Sequence, residues 1–140
     1  MTDTLELRSA ILETEGWVED FMQRLGWHDR GKAYYALIAG LHAMRDSVPW
    51  DEAVQLGAYF PPLLRGLYYE GWHPTGRSLP LKSRDVFLER IHDSIHRDPG
   101  IDPELVARGL FALLAQRLPA AELEDAKVLT PKPLHGLWPQ

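Results

Sequence analysis

Residues 11 to 70 align with residues 81 to 140 at a constant offset of 70, without a gap. This internal correspondence limits the possible folds more than any other feature of the chain. Identities are few: Glu19/Glu89, Pro49/Pro119, Glu52/Glu122, Pro61/Pro131, Leu64/Leu134, Gly66/Gly136 and Leu67/Leu137. The apolar spacing carries the argument. Trp17/Phe87, Val18/Leu88, Phe21/Ile91 and Leu25/Ile95 repeat one pattern, while Leu41/Phe111, Met44/Leu114 and Val48/Leu118 repeat another at helical spacing. Any two amphipathic helices share a 3.6-residue period, but they rarely share their breakers as well. The expected product is all-α: two tandem four-helix units, 11–70 and 81–140, joined through a linker at 71–84. They should pack as one helical bundle domain over 1–140.

The first helix of each unit is expected over about Thr4 to Leu25 and Ser83 to Ile95, and the second over Asp29 to Ser47 and Asp102 to Arg117. Asp102-Pro103-Glu104 is a strong start signal, because Asp caps orphan N–H groups and Pro at the first helical position needs no donor. Val48-Pro49 and Leu118-Pro119 should end the second helices, since a residue before proline avoids the helical region. A short third helix then runs through Leu56 or Ala126. The fourth starts at Pro61-Pro62 or Pro131, with Glu70-Gly71 suiting a glycine cap. Leu37, Leu41, Met44, Leu64, Leu67, Phe111, Leu114, Leu134 and Leu137 are the expected core. Gly66 and Gly136, which cost helix propensity, are expected where a neighbouring helix comes close. The linker stretch from Trp72 to Arg84 is locally basic and reads as a solvated connector.

Composition excludes several function classes. A chain of 140 residues can bury about two-thirds of its extended surface, so a core needs no staples. The net charge of −5 argues against a nucleic-acid partner, which calls for a basic surface. Absence of cysteine removes disulfides, thiolate nucleophiles and thiolate metal sites, and suits the cytoplasm. No apolar run reaches bilayer length, and the first residues are acidic where a signal peptide is basic, so a soluble protein without a membrane partner is expected.

The stretch from Leu41 to Ala53, followed by Gly57-Ala58-Tyr59-Phe60-Pro61 and Arg65-Gly66-Leu67-Tyr68-Tyr69-Glu70-Gly71-Trp72, resembles the bacterial family known as domain of unknown function 2267. The resemblance extends through Asp102 to Leu118 and Glu122 to Trp138. It implies an all-α fold and supplies no activity, so no catalytic residue follows from it.

Chemistry-bearing motifs are sparse. No phosphate-cradling glycine loop and no Gly-x-Ser-x-Gly elbow occurs. His92 and His96, four apart, could share one helical face and are the metal candidates, although the glutamate of a His-Glu-x-x-His motif is missing. Asp51-Glu52, Glu13-Glu15 and Glu122-Glu124-Asp125 read as first-turn charges and solvated faces. No cofactor is expected. The reading that remains is a noncatalytic interaction or assembly module with a protein partner or a second copy, using Arg65 and Tyr69. Its alternative is a small-molecule-binding protein or enzyme whose aromatic-lined site between the units uses Tyr34, Tyr68, Tyr69 and Trp72.

Overall fold

The computed structural model describes residues 2–73 and 83–140. Most of the expected linker, Pro74 to Lys82, therefore lies outside the described residues. Every described element is helical: α1 (Thr2–Leu25), α2 (Arg30–Ser47), α3 (Trp50–Gly57), α4 (Pro62–Tyr69), α5 (Arg84–Ser94), α6 (Pro103–Arg117), α7 (Ala120–Leu129) and a closing 3₁₀ helix (Lys132–Leu137).

Local chemistry sets these bounds. Asp29 and Asp102 cap α2 and α6 by accepting from the backbone N–H of Lys32 and Glu104, and Ser83 caps α5 through Val86. Pro49 and Pro119 stand at the N-caps of α3 and α7, with Pro61 and Pro131 at those of α4 and the 3₁₀ helix. Gly71 leaves α4 at φ +74°, the left-handed exit expected there. The last element departs from expectation in being 3₁₀. Pro139 forces Trp138 into an extended backbone (ψ 149°), and Gly136 weakens the stretch before it, leaving too few residues for stable α turns.

α2 and α6 cross at the centre. α1 packs on α2 and α6, and α5 packs on the same two helices. α3 meets α7, while α4 lies on α2 and the 3₁₀ helix on α6. Close approach at the crossings depends on missing side chains. A Cβ at Gly40 would stand 3.1 Å from Leu110 Cδ2, and one at Gly109 would stand 2.9 Å from Leu25 Cδ2. Eight of the nine expected core residues are buried, and Leu67 is only half-buried. The expectation for Gly66 and Gly136 fails. Nothing lies within 4 Å of a Cβ at Gly66, and only an Arg84 guanidinium comes within 3.8 Å at Gly136. Both glycines are on outward faces, so helix–helix approach does not explain them.

Candidate functional site

The aromatic residues singled out by the sequence fall in two places. Phe60, Tyr68, Tyr69 and Trp72 form a continuous run with ring centroids 4.8, 4.9 and 5.5 Å apart, whereas Tyr34 packs edge-on against Tyr35. Tyr68 is fully buried and donates its hydroxyl to the Ala53 carbonyl at 2.7 Å. Tyr69 reaches the Val54 carbonyl, and its ring occupies the space that a Cβ at Gly57 would need. Arg65 donates to the carbonyls of Gly57 (2.9 Å) and Phe60 (3.0 Å). Arg65 and Tyr69 thus tie α4 to the end of α3.

A polar network that the sequence reading passed over anchors the other end of α4. Arg45, 2% exposed, pairs with Asp46 at 2.8 Å and donates to the Tyr68 and Glu70 carbonyls. Arg90 of α5 reaches Asp46 at 2.6 Å. His42 Nε2 donates to the Leu67 carbonyl at 2.8 Å. Carbonyls orphaned at the C-terminus of α4 are thereby satisfied from α2. Burial works against ionisation of Asp46, yet the two guanidiniums outweigh it and hold the carboxyl below its usual range. Burial, with Arg45 nearby, keeps His42 neutral to lower pH than a free imidazole, although its bond to Leu67 pulls the other way.

His92 and His96 do not share a helical face. α5 ends at Ser94, His92 donates to the Asp98 carbonyl at 2.9 Å, and His96 follows the helix at φ 58°. Among the described residues, no group of three or more His, Asp or Glu is placed to hold a metal. His96 instead faces a cleft of about 620 Å³ between the α1–α2 and α5–α6 connections, together with Lys32, Tyr35 and Ile101.

The reading of the paired carboxylates as solvated is corrected at two positions: Glu52 and Glu122 are each 3% exposed. The two side chains meet where α3 packs on α7. Both are third in helices capped by proline. In a capping box a glutamate at that position bonds the cap's backbone N–H, but proline has none, so the carboxylate turns elsewhere. The repeated Pro-x-x-Glu was the available signal.

α1 leaves apolar side chains exposed ahead of its buried part. Its inner residues Trp17, Val18, Phe21 and Leu25 are buried, but Leu5 (66%), Leu7 (64%) and Leu12 (65%) stand in solvent. The exposed stretch leads into a cleft of about 610 Å³ floored by Trp17, Phe60 and Pro61 and flanked by Tyr59 and Arg65. Arg117 covers its far end, 4.7 Å above the Trp17 ring. No helix among the described residues is long and apolar enough to cross a membrane. No curated protein matches the chain. A family model described as an uncharacterized conserved protein, DUF2267, matches residues 14–137.

Proposed function

The chain belongs to the DUF2267 family, whose description assigns no activity, and we propose that it is a noncatalytic protein-interaction module of the cytoplasm built by tandem duplication. Supporting the duplication, α3 and α7, and likewise α4 and the 3₁₀ helix, start 70 residues apart. The contacts of α1 with α6 and of α5 with α2 are also equivalent under that offset. The observation that carries the interaction reading is the outer part of α1, which exposes Leu5, Leu7 and Leu12. Leu5 and Leu12, seven apart, share one face of α1, and a bare apolar face on a helix suits another helix laid along it. Glu6 and Glu13 stand beside that face with Arg8, while Glu15 is paired with Arg30, so the matching partner is an amphipathic helix with basic flanks. A second copy would set acid against acid.

Fluorescence anisotropy with a labelled Leu/Lys amphipathic peptide tests this reading. Leu5→Ser combined with Leu12→Ser should abolish binding and leave the unfolding midpoint in place. Undiminished binding, or a large loss of stability, would make the stripe part of the fold and not a docking face.

A second reading, small-molecule binding, rests on the cleft beside His96. Its volume lies in the usual range for ligand sites, and it draws on connections from both halves. Tyr68 is too deeply buried to line any site, which moves this reading away from the Tyr68, Tyr69 and Trp72 run.

A further inference from the structure

Glu52 and Glu122, 70 positions apart, are both buried and face one another across the α3–α7 contact. Gln55 Nε2 donates to Glu122 Oε2 at 3.1 Å, but Glu52 Oε2 and Glu122 Oε1 are buried without a partner. None of the ion pairs among the described residues includes either carboxylate. Two adjoining carboxylates, withdrawn from water and lacking a counter-charge, repel strongly. One proton between them turns that repulsion into a short charge-assisted O–H···O⁻ bond.

We propose that Glu52 and Glu122 bind a single shared proton, and that its release unlatches α3 from α7, making the seam between the two halves a pH-sensitive joint. The surrounding charges favour keeping the proton. Asp51 on α3 and Asp125 on α7 both add negative potential. From α4 come the phenol of Tyr68, which burial holds neutral, and Arg65 and Tyr69, which are engaged with backbone carbonyls of α3 and its exit. The charged pair on α2, Arg45 and Asp46, is committed to Arg90 and to the end of α4. Burial, followed by the bond and charge of Glu122, pushes the Glu52 carboxyl up to about 8, so the proton leaves near the upper edge of the physiological range. Once it has gone, two buried negative charges remain. Separating the helices then rehydrates both.

Infrared spectroscopy and native-state hydrogen exchange on the intact chain test the joint. At neutral pH the wild type should show a carboxylic-acid C=O band that disappears on alkaline titration and is missing from Glu52→Gln and Glu122→Gln. After correction for intrinsic exchange, the opening constant of α3 and α7 amides should rise about tenfold per pH unit between about pH 5 and about pH 8, as release of one proton requires. Either substitution should flatten that slope. An absent band, or an unchanged slope in both variants, would overturn the proposal. If magnesium or calcium chloride raises the midpoint of a band-free wild type, the pair is a cation site and not a proton site. Should one variant fail to fold, the wild-type band and its titration decide alone.

Discussion

At residue scale, the clearest local conflict is His96 at φ 58°, followed by Arg97 at φ 51°. Left-handed backbone costs an L-residue about 1–2 kcal/mol. The residue 70 positions earlier is Gly26, which takes the same conformation at φ 69° without a Cβ. His96→Gly should therefore raise stability by about 1 kcal/mol in denaturant unfolding, with part of the gain lost to the freer unfolded chain. If the cleft beside it binds a ligand, the same variant should bind less tightly despite being more stable. Arg45 presents the opposite case. Its guanidinium is buried and fully engaged, so Arg45→Met should cost about 3–5 kcal/mol by stranding the Tyr68 and Glu70 carbonyls and half of the Asp46 pairing. A loss below about 1 kcal/mol would show that α4 is held mainly by its apolar face.

Among the elements, α4 and the 3₁₀ helix, which start 70 residues apart, are held by two different anchors. α4 is pinned by Arg45 and His42 of α2. Ala112 and Ala115 stand 70 positions after His42 and Arg45 and offer no such donors, and the 3₁₀ helix is held instead by stacking. Trp138 lies 4.1 Å above Phe111 at an interplanar angle of 7°, and its indole N–H donates to Thr130. His135 donates to the Thr130 carbonyl, and Arg108 to that of Gly136. Phe111 also stacks on Phe87 of α5, so it joins three elements. Phe111→Ala should cost about 3–5 kcal/mol, because the rings on either side cannot both collapse into the space. Hydrogen exchange should locate the loosening at the 3₁₀ helix and α5, with α4 spared. Loosening confined to α4 would contradict this division of anchors.

For the whole molecule, pH dependence follows from three groups with different signs. The Glu52 carboxyl is raised in the folded state, so it adds stability in full below its ordinary value near 4.5, and this fades as pH climbs to about 8. His42 is lowered, so its contribution is complete above about 6.5 and declines as pH falls below that. Asp46 is lowered as well, and its contribution is lost only in acid, below about 3.8. Between about pH 4.5 and 6.5 the first two oppose each other. Above that window Glu52 acts without opposition. The unfolding midpoint should therefore be highest in mildly acidic buffer and decline from about pH 6.5 to 8, as calorimetry across that range would show. A midpoint that climbs over the same interval would contradict the shared proton.

Much of the architecture was legible in the chain alone, because helix boundaries depend on local chemistry. Asp29, Asp102, Pro49, Pro61, Pro119 and Pro131 act on their own backbone neighbours, and the elements begin where those residues put them. Apolar period likewise marked eight of nine core positions, since a stripe that must leave water has one side to turn inward. What the chain alone left open depends on contacts between residues far apart in sequence. Arg45 and Arg90 look like ordinary surface cations until α4 and α5 come down on α2. Glu52 looks like a first-turn charge until α7 places Glu122 against it, 70 positions away. His92 and His96 look like a metal pair until α5 ends between them. Local energetics selects the elements, but the electrostatic state of a side chain depends on what the tertiary fold brings beside it and on how much water that contact removes.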